Sequence, residues 1–555
     1  MAHILYFNGP ILSMDKNNSQ PEAVLTKNDR IEVVGDEQDL RDIMPADTIE
    51  HDLNNQCLIP AFIDPHGHFP DSGFIKLFRV DVSAPPRGDC PDIATVLHRI
   101  RDKINQTQKG EWVMGVLFDN LTVREGRMPT KQELDQISQD HPIWILHASG
   151  HNGVANSYVL NHLGITHSTP DPYGGRYGRD KATGELNGII EGLSAMGAMG
   201  GTDFLINQDD FWKGFKAACD EYLSYGVTMA QNSWVSRDFM KYFASLPADK
   251  DPGIDLILLP VGEEEPAMTT GDTAVFWPGN PHFKIGPRKL FTDGAFQLQT
   301  AYLSEPYYQV LNEDTPCGMP YVDPTFHKNE VKRLHNLGYQ IHCHCNGDAG
   351  ADMFIHAVAE ALAENPRSDH RHTIIHGQVL REDQLNRIAE LNMTISFFSA
   401  HVYFWGDLHY STMLGPNRAA RISPAASAAK RGIIFTLHND TAVTPTRPLH
   451  LAQCAVQRKS YQGRVLGEEQ KISVLSAFRA MTIDAAWQVF EEDNRGSIEN
   501  GKIADFAILN RNPLDTSVDL NQMQVEKTIR HGKLCYDSGS AVTSRHGAKI
   551  QTPPE

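Results

Sequence analysis

Cysteine is sparse in this chain: eight residues among 555, with no CxxC pair, so neither a disulfide framework nor a cysteine zinc module is expected. Cys343 and Cys345 flank His344 and read as small packing residues. Positive charge is also short. Fifty Lys and Arg against 69 Asp and Glu leave a formal charge of −19, which weighs against nucleic acid and anionic membranes as partners and favours a small-molecule substrate. No apolar run approaches the roughly 20 residues of a membrane span. The opening MAHILYF has no basic segment followed by a cleavage site, so a cytoplasmic protein is expected. There is no internal repeat and no low-complexity block, and a homodimer is left open.

What is present suits a globular protein, with 41% hydrophobic and 21% charged residues. The length exceeds one ordinary core and predicts a barrel of roughly 250 residues or more with at least one further module. Eight short apolar runs can be picked out: IPAFID at Ile59, VTMAQNS at Val227, IDLILLP at Ile254, RKLFTDG at Arg288, YQIHCHC at Tyr339, HTIIHG at His372, MTISFFS at Met393 and IIFTLHND at Ile433. Most are followed by a helical pattern. Phe211, Phe215, Ala218, Cys219, Tyr222 and Leu223 make one such apolar stripe, stopped by Gly226. Strands alternating with helices predict a parallel sheet, and eight of them a closed α/β barrel of the (β/α)8 TIM type spanning 59–489.

Between the first run and that helix lies far more chain than a βα loop needs, so residues 71–205 are expected to form an inserted subdomain over the barrel mouth. Residues 1–58 and 490–540 read as short strands and turns that pair into one small β-sandwich domain. The polar stretch 541–555 reads as a disordered tail.

The chemistry centres on IPAFIDPHGHF, Ile59 to Phe69, where His66 and His68 stand one residue apart at the end of an apolar run. In an extended strand alternate side chains share a face, so two imidazoles so placed can grip one zinc, iron or nickel ion. Later runs end in the same kind of group: Lys289 in the fourth, His344 in the fifth, His376 in the sixth and Asp440 in the eighth. In such barrels the C-terminal strand ends carry the active site, so these six groups are expected to converge on a metal.

PAFIDPHGH, SGHNGVANS at Ser149, KLFTDG at Lys289, HCHCNGDA at His342, TIIHGQ at Thr373, HNDTAV at His438 and GSIENGKIADFAIL at Gly496 form an ordered series. In these motifs the chain resembles the amidohydrolase superfamily, specifically its YtcJ-like branch (amidohydrolase family 3), similar to the N-substituted formamide deformylases. The resemblance implies a divalent metal centre, zinc foremost, with His66 and His68 on the more buried ion and His344 and His376 on the more exposed one. A carboxylated Lys289 would bridge two ions; a bare lysine leaves one. It further implies Asp440 as metal ligand and proton carrier. Asp119, His151, Asn156, Asp293, Asp348 and His401 match or adjoin branch motifs and could orient ligands or line the pocket. Each also has a structural reading: Asn156 and Asp348 as helix caps, Asp119 closing a turn. The implied function is hydrolysis of a non-peptide carbon–nitrogen bond, an N-acyl or N-formyl amide, by a metal-activated hydroxide. The alternatives are ester or lactone hydrolysis or deamination on the same scaffold, or a non-catalytic regulatory or binding protein. Specificity is expected from the insertion and from Phe296, Gln299, His401 and Phe404.

Overall fold

The computed structural model describes residues 2–172, 175–192, 195–196, 206–261 and 279–539. Two parallel sheets form its centre. The first runs in the order Phe283–Ile285, Asp255–Pro260, Val227–Val235, Phe62–Asp64; the second in the order Arg288–Phe291, Ile341–Cys345, Thr373–His376, Thr394–Phe397, Phe435–Leu437. Each of the eight apolar runs holds one strand. Phe283–Ile285 is a ninth, three residues long with Lys284 exposed, too short to show a period. The strands read as unbroken apolar runs because helices cover them, and all six residues of Asp255–Pro260 are buried. A parallel bridge from Val261 to Lys289 joins the sheets on one side. On the other, Leu437 N–H donates to the Ala480 carbonyl and Ile63 N–H to that of Met481.

The helix Gln208–Ser224 shows how the sequence sets these elements. Asn207 caps it by accepting from Asp210 N–H, Asp209 and Asp210 favour its positive end, and the predicted stripe from Phe211 to Leu223 is buried. Gly226 then turns the chain at φ 79°. The helix lies against Asp71–Phe78 so closely that a Cβ on Gly73 would fall 1.9 Å from the Gly214 carbonyl oxygen. That contact seats the start of the inserted segment against the helix that precedes the strand Val227–Val235.

The insertion has a sheet of its own, in the order Arg176–Arg179, Leu186–Glu191, Asn152–Ala155, Ile143–His147, Val113–Phe118, Val80–Asp81. Strand alternation sends Val113 into one apolar cluster with Val96 and Ile100 of the helix Ile93–Ile104, and Met114 and Val116 into a second with Trp144 and Ile190. Residues 197–205, the expected end of this segment, lie outside the described residues, as does the tail 541–555. Among the described residues no helix is long and apolar enough to cross a membrane.

The chain ends make two four-stranded sheets. His3–Phe7, Ala23–Lys27, Arg30–Gly35 and Ile49–Asp52 form one; Cys57–Pro60 joins Phe506–Leu509, Val525–Arg530 and Lys533–Asp537 in the other. Tyr6, Val24, Leu58, Phe506 and Ile529 share one buried cluster between them.

An ion junction ties this module to the parallel sheet. Asp255, the first residue of its strand, accepts from Arg495 Nη1 and Arg530 Nη2, each at 2.6 Å, and contacts His282 Nδ1 at 2.7 Å and His531 Nε2 at 2.9 Å. The three acid and imidazole groups could in principle hold a cation, but guanidinium donors already occupy both carboxylate oxygens. Burial would raise the Asp255 pKa; Arg495, His282, His531 and Arg530 instead hold it well below the carboxylate range. Asp255→Ala removes a carboxylate shared by two arginines, which keep Asp251 and Asp505 as partners, and is expected to cost about 1–3 kcal/mol, read from the denaturant midpoint. Because the folded pKa is depressed, this stabilisation is present above the unfolded value of about 3.9 and is lost as pH falls. The gap between wild type and variant should therefore narrow below about pH 4, and a gap that is flat from pH 3 to 7 would count against the junction.

Candidate metal centre

The first strand ends at Asp64, so His66 and His68 stand in the turn beyond it rather than on an extended strand, as the HxH spacing had suggested. Their rings cross at 76° with centroids 5.9 Å apart. The turn is built by Asp64, which accepts from His66 N–H at 3.4 Å and Tyr222 Oη at 3.1 Å, and by Gly67, where a Cβ would meet Asp64 Oδ2 at 2.7 Å. His68 N–H donates to the Thr441 carbonyl at 2.6 Å, fastening this turn to the loop that carries Asp440. Both imidazoles thereby reach one atom: Nε2 of His66 and of His68 lie 3.4 and 3.2 Å from Asp440 Oδ1. Ser233 Oγ sits 2.8 Å from His66 Nδ1 and fixes that ring.

His344 and His376 close the other side. His344 Nε2 donates to the Gly294 carbonyl at 3.0 Å, which leaves Nδ1 facing His376 Nε2 at 3.0 Å. His376 adopts φ 75°, a left-handed conformation uncommon outside glycine, at the very end of its strand. The parallel register sets Phe291 beside His344 and Lys289 beside His342. Lys289 is buried, with Nζ 5.1 Å from the Phe291 ring centroid. The structure thus brings together all six groups expected at the strand ends.

It adds a seventh. His438 Nε2 lies 3.1 Å from His376 Nδ1, and His438 Nδ1 lies 2.8 Å from Ser396 Oγ, which in turn accepts from Thr436 Oγ1 at 2.8 Å. The signal was present in LHND: His438 stands two residues before Asp440, the same spacing as the HxH pair.

Burial drives the imidazoles of His66, His344 and His376 well below their usual pKa and that of His438 to about 3, so all four are neutral bases. Burial also lowers Lys289 to about 8, with Asp440 opposing. For Asp440 burial acts upward, but His68, His438 and Lys289 bring it to about 2, so it is a carboxylate. Oδ1 of Asp440 is buried and makes no hydrogen bond among the described residues. Atoms of His66, His376 and Asp440 lie within 4.8 Å of one another. An unsatisfied anionic oxygen facing neutral imidazole lone pairs is a donor set that fits a divalent cation.

His66, His68, Lys289, His344, His376 and Asp440 line a cavity of about 410 Å³, with His438 behind them. Its walls are largely apolar, with Ile75, Val116, Leu117 and Leu146 from the insertion and Trp234, Phe239, Phe291 and Phe398 from the barrel. His151 and His401 line it. His151 Nδ1 lies 3.0 Å from Tyr321 Oη and its ring is 5.5 Å from that of His344; His401 Nδ1 lies 3.0 Å from His409 Nε2. His147, Asn232 and Gln297 line it too, without a motif that marked them.

The other candidates lie behind this surface. Asp119 accepts from Trp405 Nε1 at 2.7 Å and Leu121 N–H at 2.9 Å, closing a turn under the roof. Asn156 caps the helix Ser157–His162 and accepts from Ile143 N–H at 3.1 Å. Asp293 accepts from the backbone N–H groups of Asn346, Gly347 and Tyr302, holding the loop after His344; burial raises its pKa to about 7. Asp348 is not the cap of its helix, which is Gly347; it binds Ser304 and, at 2.8 Å, Arg381. Phe296, Gln299 and Phe404 do not reach the cavity: Phe296 packs on Tyr307 and His409, Gln299 bonds the Gln309 carbonyl, and Phe404 packs on Tyr403 and His450.

A family model described as "Amidohydrolase family" matches residues 50–536. The chain is 26% identical over 550 residues to an N-substituted formamide deformylase of Arthrobacter pascens, covering 97% of this chain and 99% of the relative. It is 25% identical over 561 residues to the putative amidohydrolase YtcJ of Bacillus subtilis (strain 168), covering 96% and 99%. In fold it is similar to the crystal structure of an uncharacterized metal-dependent hydrolase from Pyrococcus horikoshii OT3, with a TM-score of 0.74 at 21% identity, covering 94% and 99% of the two chains.

The contacts around His66 separate a ligand from its support. His66→Ala is expected to remove most bound metal, whereas Ser233→Ala, which frees only Nδ1, should weaken metal affinity roughly 10–100-fold. Elemental analysis and equilibrium dialysis with zinc read both, and wild-type metal content in the His66 variant would refute the assignment.

Proposed function

The chain belongs to the amidohydrolase family, and from that premise we propose that it is a metal-dependent hydrolase of a non-peptide carbon–nitrogen bond, an N-acyl or N-formyl amide. We read the two parallel sheets as one (β/α)8 barrel, with the 480–481 backbone spanning its last gap and the segment 71–205 roofing its mouth. The observation that carries the reading is Asp440: an ionised, buried carboxylate with an unsatisfied oxygen, beside neutral imidazoles in a largely apolar cavity. The similarity to a formamide deformylase supports the choice of bond.

His66, His68, His344, His376 and Asp440 would hold divalent metal, zinc in our reading: one ion if Lys289 stays an amine, two if that amine adds CO2 and loses a proton to become a carbamate ligand. When bound, the ion lowers the pKa of water and polarises the substrate carbonyl. The chain's own groups do the rest. Asp440 takes the proton of the attacking water and returns it to the departing amine. His151, held at Nδ1 by Tyr321, keeps its other nitrogen for the substrate, and His401 faces the same space. The apolar walls from Val116 to Leu146 exclude bulk water and strengthen these contacts.

Zinc-loaded protein is expected to hydrolyse members of a panel of N-formyl and N-acyl amines, with released amine as the readout. Asp440→Asn should lower kcat on the order of 10²–10⁴-fold. Lys289→Ala should lose metal and activity together, and short-chain carboxylic acids should restore part of both by standing in for the missing carbamate. Metal-loaded enzyme that leaves every amide and ester of the panel intact would favour a binding protein instead.

A further inference from the structure

Asp440 sits in the left-handed region at φ 53°, in a loop whose shape the strand before it does not dictate. Within the loop, Val443 N–H donates to the Asp440 carbonyl at 2.7 Å, and Thr444 Oγ1 donates to that of Asn439. Outside the loop, His68 N–H donates to the Thr441 carbonyl at 2.6 Å, and a further hold comes from the inserted segment. Arg87 Nη2 donates to the Ala442 carbonyl and Nε to the Val443 carbonyl, each at 3.1 Å. Its Nη1 donates to Asp81 Oδ2 at 2.8 Å and Ser83 Oγ at 3.1 Å. Asp81 is fixed in turn, accepting from Ser83 N–H at 2.9 Å and passing its own carbonyl to Arg99 Nη1 at 2.9 Å. The side chain of Arg87 is only 11% exposed. Ala442 and Val443 line the cavity on their other side, so the guanidinium backs the wall that carries the carboxylate.

We propose that Arg87 is a positioning residue for Asp440: by holding two successive carbonyls, it fixes the loop that presents the carboxylate to the cavity. A planar guanidinium can serve two neighbouring carbonyls and an anchoring carboxylate at once; an ammonium on a flexible stem cannot. The inserted segment thereby contributes to turnover and not to substrate choice alone. Displacing a reacting group by about 1 Å can cost on the order of 10²-fold in rate, which sets the scale of the effect.

The kinetic arm of the test rests on the hydrolase reading above; a structural arm does not. In full-length, metal-loaded Arg87→Gln, metal content and KM are expected at wild-type values, kcat about 10–100-fold lower, and amide hydrogen exchange by mass spectrometry faster across residues 440–446. Arg87→Lys should fall between, and Asp81→Asn, which frees the anchor, should move both readouts the same way. These two variants decide the matter if Arg87→Gln does not fold. Unchanged exchange across 440–446 would overturn the proposal whatever the activity. Faster exchange with wild-type kcat would also overturn it, leaving Arg87 as mere glue between insertion and barrel. Wild-type enzyme inert toward the whole panel would defeat the hydrolase reading, while exchange would still decide the positioning.

Discussion

Everything at the mouth of this barrel depends on the approach of Asp440 to His66 and His68. The two ends of the parallel array meet there: Nε2 of His66 and of His68 lie 3.4 and 3.2 Å from one buried carboxylate oxygen. Burying a carboxylate is costly, and imidazoles that burial has stripped of their protons, as at His66 and His376, do not by themselves relieve the cost. A shared divalent cation does, since it converts each lone pair from a liability into a ligand bond. The scaffold therefore has to be rigid enough to hold the donor set together, and the supports of Asp64, Ser233, Asp293 and Ser396 supply that rigidity.

The same view explains which parts of the molecule the sequence announced. Local rules made the eight strand runs legible, because a strand covered on both faces must be apolar along its length. They also made the helix before Val227 legible, through its stripe and its terminal glycine. They could place His66, His68, Lys289, His344, His376 and Asp440 at or near strand ends, and in a parallel barrel that is enough to predict convergence. Period-two reasoning failed at the HxH itself, because the strand stops at Asp64 and a turn, not a pleat, aims the rings. His438 was overlooked for the reverse reason: its HxD spacing was readable, but only the fold shows that Ser396 and His376 bracket it. The loop residues fared worst. Phe296, Gln299 and Phe404 are polar or aromatic groups near the right strands, and nothing local reveals that each packs away from the cavity.

The barrel is fastened differently at its two ends. At the N-terminal end of the strand Asp255–Pro260, Arg495 and Arg530 from the C-terminal part of the chain converge on Asp255 in an ion network that occupies both of its carboxylate oxygens. At the C-terminal ends, Arg87 from the insertion grips the backbone beside Asp440 and leaves the carboxylate oxygen unsatisfied. Arginine is used at both sites for its planar fork, with opposite results: one end spends its donors on quenching charge, the other on holding a charge in place without quenching it. Barrels of this kind separate stability from chemistry along the strand axis. Here the division is made by which carboxylate each guanidinium touches, Asp255 itself below and, above, Asp81 of the insertion rather than Asp440, so the upper end keeps an anionic oxygen for a metal and a proton to use.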